Sequence, residues 1–161
     1  MYIDKSYESI AYLAIHDTIK KNILKKIMKI AAIDLGDRHI GIALSDASQI
    51  ISSPYITVTP EELDAFLQKF IAKENVNLIL VGHPITLKGT KSEQTIKVEN
   101  EFARLSSQFN TIQWKLIDER LSSKHANNLI RAKTKEEKLK SHAIAASLLL
   151  ESYLQFLDKS F

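Results

Sequence analysis

The stretch AAIDLGDRHIGIALSD, residues 31–46, decides the fold that this sequence predicts. Residues 29–34 form a short apolar run that predicts a buried strand ending in Asp34. After Gly41 apolar and small residues alternate, so the whole stretch predicts a β-hairpin that turns near residues 36–39. A carboxylate at the end of a buried strand is costly unless a partner offsets its charge. The sequence therefore raises the question of what Asp34 binds.

The chain around this hairpin predicts an α/β domain. A third antiparallel strand is predicted at 50–59, where Pro54 requires an edge position or a bulge. The run at 77–82 is apolar throughout, which is typical of a central, parallel strand. The other predicted elements are a helix from residue 60 with Thr59 as its N-cap, a helix at 91–109, a strand at 112–118, a short helix after residue 122, a charged loop at 131–140 and a last helix at 142–157. This order predicts a mixed five-stranded sheet with helices on both faces.

Composition excludes several classes of function. The chain has 161 residues, 45% of them apolar and 25% charged, and a net charge of +3, which permits a nucleic-acid partner without requiring one. It contains no cysteine, so disulfides, thiol catalysis and thiolate metal sites are excluded. No apolar run approaches the roughly 20 residues of a membrane helix. We therefore expect a cytoplasmic protein that has no membrane partner.

Residues 1–27 differ from the rest of the chain. They contain neither glycine nor proline and end in a lysine-rich stretch. Their apolar residues fit a loose amphipathic helix. The pattern predicts an N-terminal extension at 1–27 and a domain at 28–161. The extension is either a real appendage or the result of a start codon assigned too far upstream, and the second is slightly favoured.

Acidic residues follow several of the predicted strands. In mixed sheets of this kind, functional residues gather at the carboxyl ends of the central strands, where Asp34, residues 82–84 and residues 118–120 are expected. Neighbouring carboxylates repel one another unless a cation lies between them, and oxygen ligands favour Mg²⁺ or Mn²⁺. Such ions support phosphodiester hydrolysis. On these residues alone, however, a turn or a simple ion pair explains a strand-end acid at least as well.

Four segments together resemble the YqgF/RuvX family: MKIAAIDLGDRHIGIALSD, LILVGHPITLKGT, IDERLSS and HAIAASLLLESYL. The resemblance covers residues 28–157. It implies an RNase H-like fold similar to that of Holliday-junction resolvases, and a metal-dependent endonuclease that uses Mg²⁺ or Mn²⁺ in processing the 5′ end of pre-16S rRNA. Alternatives are resolution of structured DNA junctions, which requires a dimer rather than a monomer, and a catalytically impaired protein that binds nucleic acid or assists ribosome assembly.

The resemblance also implies roles for single residues. Asp34 matches the first-strand metal ligand, and Glu119 matches the acid that supplies the second. Asp118 either assists or only orients Arg120, which in turn either clamps a phosphate or pairs with Asp118. Two further residues are expected to contact nucleic acid, namely Arg38 in the hairpin turn and Lys88 in the loop before the second helix. That loop is also expected to begin a capped helix, which is compatible with a phosphate contact.

The sequence departs from the family pattern at His142. The family places an aspartate at this position, at the start of the last helix, as a third catalytic and metal-binding group. An imidazole suits Mn²⁺ better than Mg²⁺. The site is therefore expected to work with an altered metal preference, to bind without cleaving, or to leave His142 in solvent; the first is favoured. Lys138 and Lys140 lead into His142 and are expected either to contact a nucleic-acid backbone or to be simply solvated.

The remaining histidines are weaker candidates for the site. His39 lies in the predicted hairpin turn and His83 follows a predicted strand. Histidines in such positions are more often surface or packing residues than metal ligands.

Overall fold

The computed structural model describes residues 28–85, 91–118 and 135–158, and side chains throughout these ranges except at 135–139 and at 158. Its elements are β1 (Lys29–Leu35), β2 (Ile40–Ser45), β3 (Ser52–Val58), α1 (Leu63–Glu74), β4 (Val76–His83), α2 (Glu93–Gln108), β5 (Gln113–Asp118) and α3 (Lys135–Asp158). The predicted extension at 1–27 and the predicted short helix after residue 122 lie outside the described residues.

The strands form one mixed five-stranded sheet in the order β3-β2-β1-β4-β5. β1 pairs with β2, and β2 with β3, in antiparallel fashion, whereas β4 is parallel to both β1 and β5. This confirms the predicted sheet, and it confirms that the apolar run at 77–82 forms a central, parallel strand. β3 is an edge strand whose pairing with β2 shifts register next to Pro54. The edge position and the irregularity are what a residue without an N–H requires.

Side chains alternate across the sheet and divide the core in two. Ala31 and Ile33 pack into a cluster with Leu67 of α1 and Leu105 of α2. We call this side of the sheet the α1/α2 face. The intervening residues of the same strands pack into a second cluster on the other side, the α3 face, which comprises Ile30, Ala32, Ala43, Leu80, Ile117, Ala146, Leu149, Leu150 and Leu154. Helices therefore cover both faces as predicted, and alternation assigns each residue at a strand end to one face.

The start of α1 differs from the prediction. The helix begins at Leu63 with Glu62 at the N-cap position, and Thr59 is not its cap. Residues 59–62 instead form a turn in which the Glu62 N–H donates to the Thr59 carbonyl at 3.1 Å. The Glu62 carboxylate accepts a hydrogen bond from the Thr59 N–H at 3.0 Å. Here a glutamate side chain accepts from the threonine backbone, whereas the prediction had the threonine side chain accept from the helix backbone. Helix termini commonly adopt such tight turns before the regular helix.

The start of α3 also corrects the prediction. Residues 135–140 of the segment expected to be a charged loop belong to the helix, which begins at Lys135 and runs for 24 residues, whereas residues 131–134 lie outside the described part of the chain. Lysine, glutamate and leucine are good helix formers, and a search for apolar periodicity alone does not register them. His142 consequently lies about two turns inside α3 rather than at its start. Despite the length of α3, none of the described helices is apolar enough to cross a membrane.

Candidate metal and nucleic-acid site

Asp34 and His142 meet at the carboxyl edge of the sheet. Asp34 is the penultimate residue of β1 and lies on the α3 face, like Ala32 two residues earlier. The Oδ2 atom of Asp34 is 3.5 Å from the Nδ1 atom of His142, and the two side chains are 28% and 33% exposed. The carboxylate thus has the neighbour that its place at the end of a buried strand requires, and solvent can still reach both groups.

Gly41 brings α3 close enough for this contact. Gly41 pairs with Asp34 across the hairpin. A Cβ atom at position 41 would lie 1.9 Å from the carbonyl oxygen of His142 and 2.6 Å from the backbone nitrogen of Ala143. No side chain fits there, so the backbone of α3 rests directly on β2. The position of His142 is therefore fixed by the helix backbone as well as by its own side chain.

Gly36 performs a related role in the turn. A Cβ atom there would lie 2.5 Å from the carbonyl oxygen of His39 and 3.5 Å from Cε1 of His142. The first distance is too short for any side chain. The glycine therefore permits the tight turn between β1 and β2 and leaves room for the imidazole of His142 above it.

His39 also belongs to this site. Ile40 packs into the core of the α1/α2 face, so the alternation of β2 places its neighbours His39 and Gly41 on the α3 face. The ring centroids of His39 and His142 are 5.7 Å apart. Within the described part of the chain, the Nδ1 atom of His39 is buried and has no hydrogen-bond partner. We expected a surface or packing residue here, and the alternating pattern around Ile40 was the signal that could have identified its position.

The Asp34 carboxylate affects the protonation of His142. The neighbouring Asp34 carboxylate raises the pKa of the His142 imidazole above its ordinary value, and partial burial opposes this increase. The imidazole thus gains a proton more readily than a free histidine. In that form it neutralises Asp34, which is the electrostatic task that a bound cation would otherwise perform.

The ends of β4 and β5 present their polar side chains to the opposite face. His83 and Asp118 are paired in register. Leu116 packs with the α1/α2 cluster and Ile117 with the α3 cluster, so alternation places Asp118 on the α1/α2 face. Asp118 therefore does not lie beside Asp34, which argues against the alternative in which it assists as a ligand.

His83 has its own partners on that face. Its Nε2 atom is 3.1 Å from Oε1 of Glu99, and Lys91 is 2.7 Å from the other carboxylate oxygen of Glu99. The proximity of Lys91 holds the pKa of Glu99 below its ordinary value. We name the three residues His83, Glu99 and Lys91 the paired cluster.

The start of α2 fixes the edge of the sheet in place. Ser92 caps the helix in a capping box with Thr95, which confirms the expected capped helix start. The Thr95 hydroxyl donates to the carbonyl of Pro84 after β4.

Two further contacts join α2 to the hairpin turn. Gln94 donates to the Leu35 carbonyl at 3.2 Å, and Lys97 lies 3.2 Å from Asp37. These contacts hold the turn and the end of β4 together, and nothing in the sequence pattern indicated them.

The residues expected to contact nucleic acid have different outcomes. Arg38 is exposed in the turn next to Asp34. Lys140 is also exposed, but it precedes His142 by two residues and so lies about 200° around the helix axis from it. Lys88, Glu119 and Arg120 lie outside the described residues, as does the side chain of Lys138.

The donors at Asp34 and His142 suit a divalent cation. Two ligands that hold one ion at about 2.1 Å are about 3.0–3.4 Å apart. The Asp34–His142 separation of 3.5 Å is near this range and longer than an ordinary hydrogen bond. A carboxylate oxygen with an imidazole nitrogen is a donor set for Mn²⁺ or a similar borderline ion. In the part of the chain that the structure describes, no three such side chains already form a metal-binding group.

Comparisons with known proteins agree with this architecture. A family model described as RuvX, Holliday junction resolvase, matches residues 28–156. Two proteins named "Putative pre-16S rRNA nuclease" are each 32% identical to this chain. The one from Flavobacterium psychrophilum aligns over 78% of this chain and 96% of its own length, and the one from Dictyoglomus turgidum over 81% and 96%.

Solved structures share the fold at low sequence identity. The structure of Thermus thermophilus RuvC covers 80% of this chain and 96% of its own, with a TM-score of 0.50 and 12% identity. The same protein in complex with a Holliday junction substrate gives a TM-score of 0.51 at 10% identity. These likenesses establish an RNase H-like fold of the RuvC type.

Proposed function

This chain belongs to the RuvX Holliday junction resolvase family, and from that membership we propose that it is a divalent-metal-dependent endonuclease that processes the 5′ end of pre-16S rRNA. Members of the family are nucleases, which hydrolyse phosphodiester bonds. Its relatives from Flavobacterium and Dictyoglomus carry this RNA substrate in their names. Such an enzyme acts during ribosome biogenesis, and a cytoplasmic location follows from that role.

One observation carries the proposal more than any other. Asp34 and His142 are far apart in the sequence, yet they meet at 3.5 Å on the α3 face at the carboxyl edge of the sheet. This is the edge at which ligands bind in open α/β sheets. A packing role does not require two partly exposed ionisable groups to face each other there.

The proposed roles follow from the chemistry of the donors. Asp34, Glu119 and His142 are proposed to hold the cation. Glu119 is included because it matches the second acid of the family pattern, and it lies outside the described residues. When bound, the cation activates water and stabilises the leaving oxygen. Asp34 supplies the negative charge that attracts the ion, and His142 supplies a neutral nitrogen.

Basic residues would bind the substrate backbone. Arg38 is exposed in the turn between β1 and β2, and we propose that it binds a phosphate. Lys88, Arg120, Lys138 and Lys140 are proposed to neutralise further phosphates around it. Cleavage should therefore weaken as the salt concentration rises, in proportion to the number of phosphates contacted.

The test is a cleavage assay with purified protein. Substrates are an RNA that contains the 5′ end of 16S rRNA with its upstream precursor sequence, and a four-way DNA junction. Each is incubated with Mn²⁺, with Mg²⁺ or with a chelator. Cation-dependent cleavage of the RNA near the mature 5′ end supports the proposal. Cleavage of the junction alone would overturn the choice of RNA.

The description of the matched family favours one second candidate, resolution of DNA junctions. Resolution requires two sites in one particle, and so a homodimer, whereas the RNA reaction needs only a monomer. Binding without cleavage of either substrate would instead indicate an impaired nuclease, and the histidine at position 142 would be its cause.

We also propose that the nuclease domain comprises residues 28–161 and that residues 1–27 are an extension. The sheet begins at Lys29, directly after that point. A chain that starts at Met28 should therefore melt at the temperature of the full chain and retain its cleavage. A large decrease in Tm would instead show that the apolar residues of the extension belong to the core.

A further inference from the structure

We propose that His39 is a third protein ligand of the cation, so that Asp34, His39 and His142 present one carboxylate and two imidazoles. This inference rests on the cation site of the proposed function and deepens it, because it determines which ion the site selects. Two imidazoles favour ions such as Mn²⁺, Fe²⁺ or Zn²⁺ over Mg²⁺, which prefers oxygen ligands.

The separation of the two rings supports a shared ion. An imidazole that ligates at about 2.1 Å places its ring centroid about 3.2 Å from the ion, so two such rings have centroids at most about 6.4 Å apart. The centroids of His39 and His142 are 5.7 Å apart, and their planes are tilted by 52°. This distance is compatible with a common ion between the rings, and the tilt is too large for a stacked pair.

The hydrogen bonding of His39 points the same way. Its buried Nδ1 atom has no partner among the described residues. A buried polar atom that lacks a partner loses the hydrogen bonds that it makes in water, so such atoms are rare and each calls for an explanation such as a missing ligand. In the tautomer that leaves a lone pair on Nδ1, this nitrogen needs a proton donor or a cation, and the ring of His142, which itself contacts Asp34, lies beside the His39 ring.

The hairpin register brings His39 within reach of Asp34. Asp34 pairs with Gly41, and His39 lies two residues from Gly41 on the same face. Such diagonal neighbours are about 7–8 Å apart, a distance that two ligands with flexible side chains can bridge through an ion. As they stand, no three of the described His, Asp or Glu side chains form a group that could hold a metal ion, so binding requires side-chain rotations that bring the three groups together.

The experiment measures Mn²⁺ binding by the full-length protein rather than cleavage. Titrations followed by electron paramagnetic resonance give the affinity, and pulsed measurements detect nitrogen atoms bound to Mn²⁺. The native protein should show two bound nitrogens. His39→Phe keeps a packed ring beside His142 but removes its nitrogens, so it should show one nitrogen and an affinity at least about tenfold weaker.

Two further variants serve as controls. His83→Ala removes a histidine from the paired cluster on the other face and should leave the affinity and both nitrogen signals unchanged. Asp34→Asn should greatly weaken Mn²⁺ binding, and it tests the cation site itself. Circular dichroism establishes that each variant is folded.

The outcomes separate the two proposals. If His39→Phe binds Mn²⁺ as tightly as the native protein while Asp34→Asn does not, His39 only packs against His142, and this inference is overturned while the cation site stands. If Asp34→Asn binds like the native protein, the cation site of the proposed function fails as well. If His39→Phe does not fold, the nitrogen count of the native protein decides, because a count of one excludes His39.

Discussion

Both faces of the sheet carry ionisable side chains at the same edge, but the contacts that these side chains make differ between the two faces. On the α1/α2 face, the paired cluster joins His83 to Glu99 at 3.1 Å and Glu99 to Lys91 at 2.7 Å. On the α3 face, Asp34 and His142 remain 3.5 Å apart, and His39 keeps a buried nitrogen without a partner in the described chain. One face joins its ionisable groups in short contacts, and the other has a longer contact and a buried nitrogen that no described residue pairs with.

This difference is what we expect between a structural ion pair and the proposed cation site. Both faces place a histidine near an acid, so residue types alone do not distinguish them. What differs is whether the hydrogen-bonding capacity is used within the protein. Buried polar groups are normally satisfied, so each exception needs an explanation, and a missing ligand is one of them.

The largest effect is expected for Asp34→Asn, which removes the charge on the α3 face while preserving the shape. Cation-dependent cleavage should fall by about a thousandfold or more, because the ion loses its principal negative ligand. Initial rates of RNA cleavage at saturating Mn²⁺ measure it, with Glu99→Gln on the other face as the matched control. If the two variants lose the same activity, the contrast between the faces is wrong.

A large effect on stability is expected for Gly41→Ala. The added Cβ would overlap the backbone of α3 at His142, and only a shift of the helix relieves the clash. Overpacking of this kind costs about 3 kcal/mol, which corresponds to a decrease in Tm of about 10 °C. Thermal melts measure it, and Mn²⁺ titration of the folded variant should show weaker binding.

Ala43→Gly provides a matched control for that substitution. It changes a neighbouring residue of β2 on the same face but removes a methyl group instead of adding one. It should cost only about 1 kcal/mol and leave Mn²⁺ binding unchanged. Equal losses of metal binding in both variants would show that Gly41 does not specifically position His142.

A moderate effect is expected for His142→Asp, which restores the acid of the family pattern. Mg²⁺ should bind about tenfold more tightly, since a hard oxygen replaces a nitrogen and adds a negative charge. His142→Ala should weaken Mn²⁺ binding more than Mg²⁺ binding. Calorimetric titrations of the three proteins with each ion measure both changes. Identical binding by all three would put His142 outside the coordination sphere.

The smallest effect is expected for Glu99→Gln in the paired cluster. The pKa of Glu99 is lowered from its ordinary value of 4.5, chiefly by Lys91. Its contribution to stability is therefore complete above that value and is lost as the pH falls through the lower pKa of the folded state. The variant should melt slightly below the native protein at pH 7, and the difference should vanish in strong acid. A larger difference at low pH than at pH 7 would contradict this sign.

The sequence predicted the sheet well because strand signals are local. The apolar run at 77–82 and the alternation after Gly41 each determine their own strand, and both agree with the structure. Apolar periodicity alone placed the start of α3 seven residues too late, since residues 135–141 are helical through propensity rather than through an apolar face.

The site was less accessible to prediction because it depends on contacts between distant segments. The importance of Asp34 and His142 came from a family pattern, and the structure then brought the two together. The position of His39 follows from the register of the hairpin, which a motif does not show. The close approach at Gly41 needs a helix from the other end of the chain, and no local pattern contains it.

The path of α3 has a consequence for the time at which the protein becomes active. Asp34 and His142 are 108 residues apart, and α3 is the last described element to be synthesised. Until it arrives, Ala32, Ala43 and Leu80 have no helix above them, and the nascent sheet exposes an apolar surface of the kind that chaperones bind. Contacts of such long sequence separation form late in folding. Under the proposed function, the edge that holds Asp34 and His142 is therefore assembled in the final folding step, so an unfinished chain would carry only half of the proposed site and should not cleave RNA.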